Sequence, residues 1–484
     1  MSSLGWIVLA LVAYLLLLFV VARMAKGGAD NRTFFTAGRQ AAWYQVWPAM
    51  ISAAMSGITF VSVPGSVLQD GFSYMQLVVG FTIGQLLLCF WLTPRFYRLH
   101  LTSIYEYFDV RFGVRAHRAT GWFFLLSKLA AGALKLCIVC LVLQQLLFEA
   151  LGVPFWVNGL LTMVVVWGYT LRGGVRSVIQ ADWLKTTVML GALVATLVAI
   201  AEAMGWSWAD AWCEVVNAPQ SRMWTFDNPS AGNYFWKMVV AGVVLLVAMT
   251  GLDQDLMQRN LACRSLADAQ KNILLTALSQ PVVIYLFLVL GLFLARYVET
   301  MSLAVPAQSD RLFPLVAMEG GLPWWVSVLF VMGFAAGSFS AGGSALTALT
   351  TSAIVDLTDE VKRLDEQKVR SLRMKIHTLL AVLMLLLVWL FGLLSEENVL
   401  TLIYRVAGYT YGPILGLFLL GEWSRVRLEG RPVWLPMVAA PLLSGAVQWG
   451  AEAYFHYTIG FELLLVNALL TMVGLWLMRR PTTA

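Results

Sequence analysis

Charged residues are scarce in this sequence. Asp, Glu, Lys and Arg together make up 12% of its 484 residues, whereas 60% are hydrophobic, and the mean hydropathy is +0.75. A soluble domain of this length cannot bury so much apolar surface, so we expect the lipid bilayer to be a partner of the chain. The net charge of +6 does not indicate nucleic-acid binding, because no soluble domain is predicted to carry it.

Cysteine and histidine are also few, with five and four residues respectively. The cysteines predict no disulfide framework, and the C-x-x-C of Cys137 and Cys140 has no second ligand pair nearby, which favours packing over metal binding. No Ser/His or His/carboxylate constellation falls inside an apolar run. We therefore expect neither an enzyme nor an organic cofactor.

Long apolar runs are what the sequence has in abundance. About 13 runs are long enough to cross a hydrocarbon layer of roughly 30 Å: 4–24, 46–64, 73–94, 119–148, 154–171, 182–203, 236–253, 272–297, 323–352, 376–394, 398–421, 433–449 and 459–478. Connections rich in Lys and Arg alternate with connections that have few, which predicts an external N-terminus and a cytoplasmic C-terminus. The predicted fold class is an all-α membrane protein with a single domain, residues 1–484.

Two of these runs carry the features of interrupted helices. In WPAMISAAMSGITFVSVPG (47–65), small and hydroxyl residues cluster around Ser56; in LLVAMTGLDQDLMQRN (245–260), Gly251 precedes two aspartates. Irregular backbone at membrane depth is tolerated where it lines a cavity, and paired interruptions in corresponding halves of a chain indicate a transport site.

The order of the two interruptions predicts an internal repeat. Counted from the second apolar run, the interruptions fall in the first and sixth helices, so five helices inverted onto the next five would match them. The repeats would be 46–203 and 236–421. One extra helix (4–24) precedes them and two extra helices (433–478) follow them.

Lysine residues inside the predicted spans need an explanation, because a charge within the bilayer is costly. Lys128, Lys135 and Lys185 are in such positions. Each could face a wet cavity, or its ammonium could reach a membrane edge along the flexible side chain. For Lys185 a further alternative is an ion pair with Asp182, since residues three apart are neighbours on a helix.

A run dense in Gly, Ala, Ser and Thr covers residues 334–356. Small residues let helices pack closely in lipid, and this explanation accounts for most of them. Hydroxyls that face an interrupted helix could instead supply oxygen ligands to a hard cation.

Four motifs in order resemble the sodium:solute symporter family. They are FFTAGRQAAWY (34–44), YTLRGGVRSVIQADWLK (169–185), TGLDQDLMQRNLACRSLADAQK (250–271) and YTYGPILGLFLLG (409–421). The resemblance extends over nearly the whole chain and is closest to a bacterial branch of the family. It implies a leucine-transporter-type fold, alternating access, and a location in the bacterial cytoplasmic (inner) membrane.

The resemblance also implies where a coupling sodium ion would bind. The shared site of the family corresponds to the carbonyls of Ser52 and Met55 and to three positions on the eighth core helix, Gly337, Ser340 and Ala341. In some relatives a second sodium site uses the position of Asp182 together with serines on the eighth core helix. Of these serine positions Ser344 matches, but Gly343 contributes no oxygen.

This chain departs from the family pattern at the shared site. Ala341 lacks the hydroxyl that usually follows Ser340, the signature threonine is Ala181, and the signature glutamine is Lys185. An ammonium on the fifth core helix could therefore occupy the place of the sodium ion. The alternative, a lysine that pairs with Asp182 near the cytoplasmic edge, stays open at this point.

The predicted solute contacts lie at the two interruptions and on the third core helix. A cation on that helix would suit a carboxylate-bearing solute, and Lys135 is the better candidate because it lies deeper than Lys128. Positions that contact solute in relatives, or that lie at the interruptions, complete the predicted substrate-binding set: Ser56, Thr59, Phe60, Gln76, Lys128, Lys135, Gly251, Asp253 and Gln254.

Together these features predict a secondary active transporter that imports a small polar solute such as a sugar, sialic acid or other organic anion. The resemblance implies Na⁺ as the coupling ion. The alternative is a proton-coupled (H⁺) or cation-independent transporter of the same fold, with Lys185 in place of sodium. The oligomeric state is left open by the sequence, and a monomer is the simplest expectation.

Overall fold

The computed structural model describes residues 3–24, 31–229, 231–358, 365–394, 399–455, 457, 459–460 and 462–479. Regular structure in these residues is helical, and one isolated bridge joins Ala41 to Cys263. The α-helices are α1 (Ser3–Met24), α2 (Asn31–Thr36), α3 (Trp43–Ala54), α4 (Gly57–Asp70), α5 (Tyr74–Leu87), α6 (Thr93–Arg98), α7 (Glu106–Phe112), α8 (Val114–Leu143), α9 (Phe155–Ala203), α10 (Trp208–Asn217), α11 (Phe235–Leu246), α12 (Gln254–Leu261), α13 (Leu266–Thr300), α14 (Leu312–Glu319), α15 (Trp324–Val355), α16 (Glu366–Leu394), α17 (Val399–Trp423), α18 (Trp434–Phe455) and α19 (Leu463–Leu477).

Many of these helices are long and apolar enough to cross a membrane. In the described part of the chain seven helices qualify, or eight if a bent pair is counted as one span. Their outer surfaces carry large apolar side chains such as Leu16, which is 63% exposed, and Phe90, which is 64% exposed. Lipid accommodates such a surface, and the chain is a multi-pass membrane protein.

The connection predicted between two spans lies at a kink. The predicted spans 154–171 and 182–203 correspond to the two parts of α9 (Phe155–Ala203), whose backbone is non-helical at Gly174. Gly174 has a φ of 53°, and a Cβ there would collide with Phe34. Glycine permits this conformation at no steric cost, so the chain turns sharply here between two helical segments. Residue 398, the predicted start of another span, lies outside the described residues.

The first predicted interruption is confirmed. α3 ends at Ala54, and both Met55 and Ser56 have extended backbone before α4 begins at Gly57. The Ser56 hydroxyl caps α4 by accepting from the Thr59 amide at 3.4 Å. Such a cap satisfies one of the amide groups that an interrupted helix leaves free.

The second predicted interruption is also confirmed. After α11 the backbone widens into a π-helical turn that ends at Gly251, and α12 begins at Gln254 with its axis bent by 68°. The Asp253 carboxylate caps α12 by accepting from the Asp255 amide at 2.8 Å. The break therefore places two aspartates at the amino end of a half-helix.

Close packing explains most of the small residues of 334–356. α15 packs against α8, α9 and α4, and nearly all of its small residues are buried. A Cβ on Gly337 would lie 2.7 Å from the Gly57 amide nitrogen, so the two helices touch through their glycines at the first interruption.

Candidate functional site

Lys185 reaches the first interruption with its ammonium. The side chain is 1% exposed, and its Nζ donates a 2.6 Å hydrogen bond to the carbonyl oxygen of Ser52. The same oxygen also accepts from the Met55 amide at 3.1 Å, because α3 ends there. Lys185 is therefore fully buried rather than extended to a membrane edge.

Asp182 lies one turn from Lys185 and is the acceptor of a second cation. Its Oδ2 accepts hydrogen bonds from Nε and Nη2 of Arg259, at 3.1 and 3.0 Å. Its Oδ1 accepts from the Ser52 hydroxyl at 3.4 Å and from the Ser340 hydroxyl. The alternative in which Asp182 pairs with Lys185 is wrong, because Arg259 binds this carboxylate and Lys185 binds a carbonyl.

Arg259 links the second interrupted helix to α9 and α15. Its guanidinium contacts the Asp255 carboxylate at 2.9 Å and also donates to the Ser344 hydroxyl on α15. The side chain is 2% exposed. A guanidinium offers five donors in a planar fork, which suits several oxygen acceptors at once.

Lys128 belongs to the same charge network. Its Nζ lies 2.8 Å from a carboxylate oxygen of Asp253 and 2.8 Å from one of Asp255. The Tyr411 hydroxyl donates to Asp253 at 2.5 Å. Buried charges are stable only when they are paired and hydrogen-bonded, and this cluster meets that condition.

These residues surround a cavity of about 190 Å³. Its volume is smaller than the roughly 300–1,000 Å³ of sites for drug-sized ligands, so it suits a small solute. Lys135 also lines it, and among the described residues this lysine has no ion pair. The predicted residues that reach the cavity are Ser56, Thr59, Lys128, Lys135, Lys185, Asp253, Ser340, Ala341 and Ser344.

Besides Gly251, three predicted solute contacts do not line the cavity. The Gln76 amide group is bound by backbone of the segment that precedes α11, since Nε2 donates to the Asn233 carbonyl and Oε1 accepts from the Thr225 amide. Gln254 similarly holds the connection between α6 and α7 through Thr102 and Ile104. Phe60 stacks within a buried aromatic cluster. In this conformation none of the three faces the cavity.

The remaining predicted residues are structural neighbours of the site. Met55 and Gly337 are buried at the first interruption, and Gly251 packs against Leu88 and Leu92 at the second. Asp182 is fully buried behind the cavity wall and reaches it only through Ser340 and Arg259.

Three residues of the site were not predicted from the sequence. The sequence pattern predicts no role for Asp255, Arg259 or Tyr411, and Arg259 lies buried on α12. A signal was available, because Asp255 and Arg259 are four residues apart on a short helix and i,i+4 charges pair.

Comparison with known proteins shows what this architecture is similar to. The model of the sodium:solute symporter family matches residues 34–431. The human sodium/iodide cotransporter is 27% identical over 410 residues, which is 82% of this chain and 62% of that protein. A sodium-coupled monocarboxylate transporter 2 from Danio rerio is 24% identical over 332 residues, 67% of this chain and 52% of that protein. The chain thus spans between half and two thirds of the length of these relatives.

Solved structures show the same fold. A substrate-bound, outward-open Na⁺-coupled sialic acid symporter superposes with a TM-score of 0.81 at 18% identity, over 97% of this chain and 96% of that one. Mhp1, a nucleobase-cation-symport-1 family transporter, superposes with a TM-score of 0.54 at 14% identity, over 93% of this chain and 95% of that one. The family and these neighbours are transporters, not enzymes. With its family match covering residues 34–431, the chain belongs to the sodium:solute symporter family.

Proposed function

We propose that this protein is a secondary transporter that imports a small organic anion by alternating access, with the Lys185 ammonium in the place of a coupling sodium ion. One observation carries the proposal. The Lys185 Nζ donates at 2.6 Å to the carbonyl oxygen of Ser52, an oxygen that the family resemblance assigns to sodium.

The proposed membrane arrangement has about 13 spans. Two inverted repeats, 46–203 and 236–421, would each begin with an interrupted helix, and the two observed breaks support this division. One helix precedes the repeats and two follow. The N-terminus would lie outside the bacterial inner membrane and the C-terminus in the cytoplasm.

Both proposed sodium positions contain a side-chain cation. Lys185 is bonded to the Ser52 carbonyl, and Arg259 is bonded to Asp182 and Ser344. A hard cation is held by several oxygen ligands, and Ala341 supplies no side-chain oxygen. Two unit charges 4 Å apart repel by about 4 kcal/mol at an effective dielectric constant of 20. A sodium ion beside Lys185 would therefore be disfavoured.

The charge balance of the site favours an anionic solute. The four cationic side chains are Lys128, Lys135, Lys185 and Arg259, and the three carboxylates are Asp182, Asp253 and Asp255. Four minus three leaves one positive charge. Among the described residues neither Lys135 nor Lys185 has an ion pair, but Lys185 is bonded to the Ser52 carbonyl, so Lys135 is the cation left to face a solute. A single negative charge on the solute would complete the balance. Two relatives whose names specify an anion, iodide and monocarboxylates, fit this class.

Sodium symport is the second candidate, and the family favours it. The Ser52 carbonyl and hydroxyl, the Ser340 hydroxyl and the Asp182 carboxylate remain as oxygen ligands. A sodium ion could use them if the Lys185 side chain moved away. In that case this lysine would control access of sodium to the site instead of replacing the ion.

A binding screen followed by uptake separates the candidates. Thermal unfolding of the detergent-solubilised protein is measured with sugars, sialic acids, amino acids and carboxylates, each in sodium and in potassium, because a ligand stabilises the state that binds it. We expect carboxylates to raise Tm equally in both salts, and proteoliposome uptake of the best ligand to proceed without a sodium gradient. Stabilisation and uptake that require sodium would establish the second candidate, and stabilisation only by neutral sugars would contradict the anion assignment.

A further inference from the structure

The connection between α17 and α18, residues 424–433, is fixed to the protein by an arginine of α7. The Arg111 guanidinium donates to three carbonyl oxygens at the end of α17 and in the connection, at 3.0, 2.5 and 3.2 Å: those of Gly421, Ser424 and Val426. The planar fork of a guanidinium suits several acceptors at once. The backbone of the connection is therefore held in one position although it is not helical.

Three further arginines lie on the outer side of this connection. Arg425 and Arg427 are exposed, whereas Val426 between them is half-buried, and Arg431 is exposed as well. In the part of the chain that the structure describes, the guanidinium groups of these three arginines form no ion pair and no hydrogen bond. Glu429 is the one acidic residue in the connection. Three minus one leaves two positive charges on a short exposed segment.

Neighbouring arginines are bound to protein groups instead. Arg95 forms an ion pair with Glu422 near the end of α17, and Arg115 on α8 donates to the Gly430 carbonyl in the connection. This contrast leaves the arginines of the connection itself available to a ligand from outside.

Two exposed tryptophans lie at the ends of the connection. Trp423 is the last residue of α17 and is 71% exposed, and Trp434 is the first residue of α18 and is 58% exposed. Tryptophan is enriched where a membrane protein crosses from lipid to water, with its ring at the level of the lipid headgroups. Because α17 and α18 pack against each other, the connection joins two helix ends at one membrane surface, which is cytoplasmic in the proposed arrangement.

We propose that the connection 424–433 is a binding site for an acidic phospholipid, whose headgroup phosphate pairs with Arg425 and Arg427 and whose acyl chains lie beside Trp423 and Trp434. Arginine binds phosphate through charge-assisted and often bidentate hydrogen bonds. Basic groups at helix ends on the cytoplasmic side recognise acidic headgroups. The two tryptophans favour a lipid over a soluble phosphate. This inference does not depend on which solute or ion the protein carries.

Lipid titrations followed by native mass spectrometry test the proposal. The delipidated full chain in detergent is titrated with phosphatidylglycerol, with phosphatidylcholine, whose headgroup has no net charge, and with glycerol phosphate, which has no acyl chains. We expect phosphatidylglycerol to bind at least tenfold more tightly than either of the others. Its affinity should fall as the salt concentration rises, because salt screens exposed charges.

A double variant connects the binding to the two arginines. Arg425→Gln with Arg427→Gln removes two charges, and each basic residue near an anionic surface contributes about fivefold in affinity, so phosphatidylglycerol should bind about 25-fold more weakly. Lys368→Gln with Arg370→Gln is the matched control, since it removes two exposed charges that are also two residues apart, on α16. The control should change the affinity less than twofold. Gel filtration and Tm without lipid verify that both variants fold.

Three results would overturn the lipid site. Equal affinities for phosphatidylglycerol and phosphatidylcholine would show that the acidic headgroup is not recognised. Equal losses in the two double variants would show that total charge, and not this connection, attracts the lipid. Glycerol phosphate that binds as tightly as phosphatidylglycerol would assign the arginines to a soluble phosphate instead.

Discussion

Lys185 on α9 and Ser52 at the end of α3 are joined by a 2.6 Å hydrogen bond from an ammonium to a backbone carbonyl. The carbonyl can accept it because α3 ends at Ala54, and the amide of Ser56, four residues further on, donates to the Thr59 hydroxyl instead of to this oxygen. A charged donor shortens and strengthens such a bond. The contact links a helix break, which sequence pattern can predict, to a substitution that departs from the family signature.

Restoring the family's ligands should restore a response to sodium. Lys185→Gln removes the ammonium, and Ala341→Ser adds the missing hydroxyl beside Ser340. We expect the double variant to show a Tm that rises by several degrees in sodium relative to potassium, whereas the wild-type Tm should not differ between the salts. Lys368→Gln, at an exposed lysine on α16, is the matched control. A sodium response in the wild type would contradict the substitution of Lys185 for the ion.

Removing the Asp182 charge should destabilise the protein strongly. Asp182→Asn leaves the buried guanidinium of Arg259 with one carboxylate instead of two, and breaking a buried pair costs about 3–5 kcal/mol. Asp227→Asn breaks the exposed pair with Arg222, whose side chains are 67% and 61% exposed, and should cost less than about 1 kcal/mol. Chemical unfolding of both variants measures the difference. Equal losses in the free energy of unfolding would show that the buried pair stabilises the protein no more than the exposed pair does.

The two lysines of α8 should differ in what their removal does. Lys128→Met leaves Asp253 and Asp255 without their shared partner and should lower Tm by several degrees. Lys135→Met breaks no ion pair among the described residues, so we expect Tm to stay close to that of the wild type while anion affinity falls at least tenfold. Thermal unfolding and ligand titration on the same samples separate the two effects. If the Lys135→Met variant bound anions with wild-type affinity, Lys135 would not be a contact of the solute.

Gly343 should tolerate no side chain while Tyr169 is present. The Tyr169 hydroxyl donates to the Phe339 carbonyl at 2.9 Å and occupies the space that a Cβ at position 343 would need. Gly343→Ala should therefore cost about 1–3 kcal/mol, and the further change Tyr169→Phe should recover part of this loss. Gly191→Ala on α9, where no atom lies within 4 Å of the added methyl, is the control and should be neutral or slightly stabilising. Equal effects at both glycines would contradict the steric argument.

Features with a local cause could be predicted from the sequence. Clusters of small residues beside Ser56, and a glycine before two aspartates, specify interrupted helices through backbone freedom and capping, and both interruptions occur as expected. The kink at Gly174 is also local, and it falls between the predicted spans 154–171 and 182–203, where a pair of glycines follows the first span.

Features that depend on which helices meet could not be predicted in this way. Arg259 lies near the end of the half-helix α12 and just before a basic stretch of sequence, which is typical of a cytoplasmic loop. In the fold it instead binds Asp182, 77 positions earlier in the sequence. Gln76 and Gln254 are polar residues beside the right elements, but the direction of each side chain follows from tertiary contacts with loop backbone. The spacing of apolar residues along the sequence does not indicate these tertiary contacts.

The Lys185 ammonium differs from a dissolved ion in one further respect, because it is covalently tethered to the chain that forms the site. Its effective concentration at the Ser52 carbonyl is set by the geometry of the fold and does not fall when the surrounding medium is diluted. A dissolved sodium ion dissociates from its site as the salt concentration falls, whereas the presence of a tethered ammonium at the site does not depend on the salt concentration.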